Sequence, residues 1–161
     1  MQFRFCVQLI LELKFRLLKE IRINMDIAVL TFDGFNELDS FIAAGILNRM
    51  KEFGWNVQIT SPTESVTSMN GVTIQSQQPL EFANTADAVL FGSGMLTRDI
   101  AQDDKLLSRL SLNPQTQLIG GQCSGTLLMS VLGLHLDFFD RISSVSSLDE
   151  LCILLCWCRF P

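Results

Sequence analysis

The stretch Gly121-Gln122-Cys123-Ser124-Gly125 sets one cysteine between two glycines, with an apolar strand-like run at 117–121 before it and an apolar helix-like run at 126–132 after it. A strand that turns through G-x-(Ser/Cys)-x-G into a helix is a nucleophile elbow. The strained turn lifts the nucleophile to the carboxyl edge of an α/β sheet, and the small flanking residues let strand and helix approach closely. The helix then points its free N–H groups and positive dipole end at the sulfur, which favours thiolate over thiol. Cys123 is the expected nucleophile, with Gly121 and Gly125 as supporting residues.

The segments on the amino-terminal side of the elbow supply the rest of such a sheet. Residues 86–91 form a short buried strand that runs into Gly92-Ser93-Gly94. Leu106, Leu107 and Leu110 place a helix over 103–112, ended by Asn113-Pro114. Further upstream, 26–32 is a β-rich apolar run that stops at Asp33-Gly34. Apolar spacing from Leu38 through Phe41, Ile42 and Ile46 to Met50 and Phe53 then predicts a helix stopped by Gly54. Residues 55–60 alternate apolar and polar up to Ser61-Pro62 and predict a second strand. Residues 66–68 and 72–75 flank Asn70-Gly71 as a small hairpin or an extended excursion. Strands alternating with helices predict an α/β fold: a doubly wound parallel sheet in three αβα layers, with its functional edge at the strand carboxyl ends.

Composition bounds what such a domain does. At 161 residues and 48% hydrophobic content the chain suits one globular domain. The net charge is −5, and no Lys/Arg cluster lies in 25–134, so the basic footprint of nucleic-acid binding is missing. Residues 1–24 differ, with five basic side chains against Glu12 and Glu20. Gln8, Glu12 and Lys14 interrupt the apolar run there, against a secretory signal or a membrane span. The expectation is an extension with a non-native start ahead of Met25. Five cysteines without an export signal point to free thiols and the cytoplasm. Cys152, Cys156 and Cys158 form a C-x3-C-x-C cluster whose spacing fits no common zinc pattern. Neither metal nor cofactor is expected, and neither nucleic acid nor membrane is an expected partner.

A nucleophile needs a proton partner. The single histidine, His135, follows the predicted elbow helix, which makes a Cys-His pair a poor fit. Asp39, in Asn36-Glu37-Leu38-Asp39 at the start of the first helix, is the better candidate, because the fold carries it to the same edge as Cys123. Glu37 competes for that role, and a carboxylate favoured by the helix dipole is the plain alternative for either. A carboxyl group near a thiolate is pushed towards its protonated form, from which it donates a hydrogen bond to sulfur or shuttles a proton. The main-chain N–H groups of Ser93, flanked by Gly92 and Gly94, and of Ser124 are candidate oxyanion-hole donors.

Taken in order, these pieces resemble the ThiJ/PfpI family of the class I glutamine amidotransferase-like superfamily, over about 25–134. The carriers are the first strand from Asp26, Glu37-Leu38-Asp39, the 88–94 strand and loop, and Gln122-Cys123-Ser124-Gly125 leading to Leu132-Gly133-Leu134. The resemblance implies a flavodoxin-like fold, Cys123 as nucleophile, Asp39 as its carboxylate, and Ser93 and Ser124 at the oxyanion hole. The Leu38-Asp39 spacing and the hydroxyl residue after the cysteine look most like the isonitrile hydratase branch. It also implies a small-molecule substrate and a homodimer of the family's full domain. The alternatives it leaves are a non-catalytic ligand or redox sensor, or an inactive copy. Two departures are visible: Gly92-Ser93 stands where the family usually has Gly-Gly, and 135–161 is a divergent tail. The latter gives the expectation of a truncated or frame-shifted C-terminal part.

Overall fold

The computed structural model describes residues 24–134. His135 and the cysteines at 152, 156 and 158 lie outside the described residues, as do 1–23. Strand β1 (Met25–Leu30) is followed by helix α1 (Glu37–Leu47) and a 3-10 turn (Asn48–Phe53). Gly54 closes that turn at φ 81°, a left-handed conformation that glycine adopts without steric penalty. After β2 (Trp55–Ser61), β3 (Ser65–Thr67) and β4 (Thr73–Gln75) make an antiparallel hairpin. Then come β5 (Gln78–Pro79), a 3-10 turn (Leu80–Asn84) and β6 (Ala88–Phe91). Two one-turn helices, α2 (Thr97–Ile100) and α3 (Asp104–Leu107), precede β7 (Leu118–Gly121) and α4 (Gly125–Val131).

Five strands pair in the order β5-β2-β1-β6-β7, every pairing parallel. Both faces of β1 are buried, as its apolar run predicts. Ile27 and Val29 face a core with Trp55, Val57 and Leu47 of α1. Ala28 and Leu30 face a second core with Leu80, Phe91, Leu110 and Leu128 of α4. The architecture is the doubly wound, flavodoxin-like three-layer α/β fold. The chain leaves β1 onto one face and β6 onto the other, so the strand order reverses between them. In a sheet of this kind that switch point, at the strand carboxyl ends, is the general place for a ligand crevice.

Two local expectations need correction. Helix α1 forms, but the stripe that marks it in sequence is not the face it buries. Ser40, Ala43 and Leu47 point inward, whereas Leu38 is 64% exposed and Phe41 is also exposed. The inward row is small because the helix start lies close to the sheet: the Thr31 hydroxyl donates to Ser40 Oγ at 3.1 Å beneath the end of β1. The helix expected over 103–112 is a single turn, because side chains capture the backbone that would extend it. Ser111 N–H goes to Asn84 Oδ1 at 2.8 Å, and Asn84 Nδ2 donates to the Arg109 carbonyl at 2.9 Å.

Candidate functional site

The elbow is a left-handed turn. Cys123 has φ 50°, a conformation that strains any residue with a Cβ and costs on the order of 1 kcal/mol or more. The turn is held from both sides. Gln122 N–H donates to the Phe91 carbonyl at 2.9 Å, and Gly125 N–H returns to the Gln122 carbonyl at 2.8 Å. A Cβ at Gly125 would stand 2.5 Å from the Phe91 oxygen and 2.6 Å from that of Gly92, so only glycine lets α4 begin this close to β6. Gly121 likewise faces Met129 Sδ and Thr126 N at 2.8 and 3.0 Å.

The loop at 92–94 is the hub onto which the other parts dock. Gly94 lies against the turn after β1, where a Cβ would meet the Gly34 oxygen at 2.6 Å, and Gly92 packs on Leu30 and Ser40. Asn36 N–H donates to the Ser93 carbonyl at 2.9 Å, and Met95 N–H to that of Gly34 at 2.9 Å. From the elbow side, the Ser124 hydroxyl shares a hydrogen bond with Thr97 Oγ1 at 2.9 Å and lies 3.3 Å from both N and O of Gly94. Cys123 therefore sits between residues that grip one side of this loop, while Asp39 grips the other.

Asp39 occupies the third position of α1, and Asn36 is the cap, its Oδ1 accepting Leu38 N–H at 3.1 Å. The Ser93 hydroxyl donates to Asp39 Oδ2, which also lies 3.5 Å from Asn36 Nδ2. Burial raises the Asp39 carboxyl above the ordinary aspartate range, and the Ser93 hydrogen bond opposes that rise. Glu37 has a different task. It accepts the Ser68 hydroxyl at 2.6 Å and Asn70 Nδ2 at 2.9 Å, pinning the tip of the β3–β4 hairpin to the start of α1. The Ser68 bond in particular holds Glu37 below the ordinary glutamate range.

The sequence-derived residues thus gather around one loop. Cys123 is half-buried and its thiol is free. No hydrogen bond joins its sulfur to Asp39 among the described residues. The main-chain N–H groups of Ser93 and Ser124 donate to no acceptor among the described residues. Two participants were missed: the side chain of Ser93 and the hydroxyl of Thr97. Nothing local marks either one, since Ser93 meets a residue 54 positions away. A cavity of about 10 Å3, barely a water's worth, lies between Phe32, Phe35, Ser93 and Thr97, and neither Cys123 nor Asp39 lines it. Among the described residues no group of three or more His, Cys, Asp or Glu side chains is arranged to hold a metal ion. No described helix is long and apolar enough to cross a membrane.

By sequence, no protein-family model and no curated protein matches this chain. Solved structures do. A ThiJ/PfpI family protein from Pseudomonas syringae superposes with a TM-score of 0.59 at 21% identity, over 69% of this chain and 47% of that one. DJ-1beta of Drosophila melanogaster gives 0.56 at 20% identity, over 68% and 61%. Toxoplasma gondii DJ-1, in oxidised form, gives 0.54 at 20%, over 68% and 62%. The fold of this chain is that of the ThiJ/PfpI and DJ-1 proteins. The chain spans about half the length of the first of these and less than two thirds of the other two.

Proposed function

We propose that this chain is a ThiJ/PfpI-type cysteine-nucleophile hydratase or hydrolase, with residues 25–134 as the unit of that type. The best single reaction is hydration of an isonitrile to an N-substituted formamide. The observation that supports this reading most is the left-handed, strained Cys123 at the β7–α4 elbow. In this scheme the Cys123 sulfur attacks the terminal isonitrile carbon, and a proton passes to that carbon. Water then adds to the resulting thioimidate carbon, and the sulfur leaves as the formamide forms. The net change is addition of one water across the carbon and nitrogen. Asp39 carries the proton, and the N–H groups of Ser93 and Ser124 steady negative charge as it develops.

The same reading takes a small molecule as substrate, places the protein in the cytoplasm, and assigns a homodimer to the family's full domain. The test is a panel of isonitriles, glyoxals and small amides with the full-length protein. Turnover of an isonitrile, lost by at least about a thousandfold in Cys123→Ala, is the expected result. Turnover undiminished by that substitution retires the reading. No turnover of any panel member, with Cys123 oxidised to sulfinate by mild peroxide, favours a redox sensor instead.

A further inference from the structure

Ser93 carries more than a main-chain donor. Its side chain is buried, and its hydroxyl is spent on one acceptor, Asp39 Oδ2. The Ser93 carbonyl meanwhile accepts Asn36 N–H at 2.9 Å, so the residue is tied to the start of α1 through main chain and side chain together. Asn36 Nδ2 approaches the same carboxylate oxygen. Asp39 Oδ1 receives no hydrogen bond from any described residue.

We propose that Ser93 is a positioning residue for the carboxylate: by donating to Oδ2 it leaves Oδ1 as the one oxygen of Asp39 that takes up and gives back a proton at the Cys123 site. This rests on the cysteine-nucleophile reading and adds to it a side chain unlike the glycine usual at this place. An Oδ2 that already accepts a hydroxyl proton is a poor place for a second one, so protonation falls on Oδ1. The Ser93 hydrogen bond also favours the ionised carboxylate against the burial that disfavours it. The other ionisable groups of the surrounding elements are separately placed. Glu37 is held by Ser68 and Asn70, and Asp33 Oδ1 accepts Thr67 N–H at 2.8 Å. Arg98 and Asp99 lie on α2, and the elbow contributes Cys123. The hairpin tip adds only the neutral Ser68 and Asn70.

The experiment is a double-mutant cycle on the full-length protein, read by the pH dependence of Cys123 alkylation with iodoacetamide. Mass mapping of the Cys123 peptide separates it from the other four cysteines. Without the Ser93 hydroxyl the carboxyl keeps its proton to higher pH, and over that interval Asp39 carries no negative charge across the loop from Cys123. Ser93→Gly is therefore expected to speed alkylation below neutrality by about threefold or more, equivalent to moving the profile about half a pH unit. Asp39→Asn alone speeds it too, and Ser93→Gly then adds nothing in that background. Ser93→Thr, which keeps the hydroxyl, restores the wild-type profile.

Equal effects of Ser93→Gly in both backgrounds would show that Ser93 acts through the backbone, and no effect in either would show that it does not act at all. Each result overturns the proposal. If Ser93→Thr folds poorly, judged by its thermal melt, Ser93→Ala provides a second loss of the hydroxyl and must match Ser93→Gly. A wild-type Cys123 that never alkylates overturns both this proposal and the nucleophile reading. Coupling between Ser93 and Asp39 without isonitrile turnover overturns the reaction alone.

Discussion

Burial raises the Asp39 carboxyl above the ordinary aspartate range, against the Ser93 hydrogen bond. Its folded-state value stands above the ordinary 3.8, so the native protein binds this proton more tightly than the unfolded chain does. The stabilising contribution of the protonated group is complete below the unfolded value and is lost as the pH rises through the folded one. At neutral pH the burial of the Asp39 carboxylate therefore subtracts from stability. Asp39→Asn is expected to raise the thermal unfolding midpoint at pH 7 and to leave it unchanged near about pH 3. Circular dichroism melts at the two pH values test this, and an equal change at both would place the effect in packing instead. Both Cys123 and Asp39 were visible in sequence, because an elbow and a helix start are short-range patterns. The division of labour between Asp39 and Glu37 was not. It depends on Ser68, Asn70 and Ser93 arriving from other loops to claim one carboxylate or the other.

At the level of elements, the elbow depends on how closely α4 starts against the end of β6. Gly125→Ala would force a methyl to within 2.5 Å of a backbone oxygen that cannot step aside. The expected cost is about 1–3 kcal/mol or more in urea unfolding, with loss of Cys123-dependent turnover. Gly45 is the contrasting case. It lies inside α1, and a Cβ there meets nothing within 4 Å. Gly45→Ala should stabilise by about 0.5–1 kcal/mol with activity retained. Equal responses at the two positions would refute the close-approach argument. The strand and helix order up to the elbow was readable from apolar runs and Gly/Pro punctuation. The short β5, the 3-10 turn after it and the one-turn α2 were not, because segments of two to five residues carry no periodicity of their own.

Over the whole molecule, part of the apolar stripe of α1 stays unburied. Leu38 and Phe41 are exposed on the helix, and Met69 and Val72 are exposed on the hairpin that Glu37 ties to it. Scattered exposed apolar side chains are ordinary, but two neighbouring elements that both present them suit an interface. The proposed homodimer would cover them. Leu38→Glu is then expected to weaken self-association by about tenfold or more in sedimentation equilibrium while the monomer stays folded. A wild-type protein that is monomeric at high concentration, or a dimer indifferent to this substitution, would count against that surface.

Short-range chemistry carried much of this protein's plan in its sequence: the alternation of strand and helix, the cysteine turn and the acidic helix start all follow from steric and solvation rules acting within a few residues. Long-range packing settled what those rules leave open. Which face of α1 turns inward follows from how near the sheet the helix must lie. Which neighbours each carboxylate of α1 meets follows from the polar side chains that the folded loops bring to it. A linear pattern records what each residue prefers, whereas only the closed fold determines which neighbour is there to satisfy it.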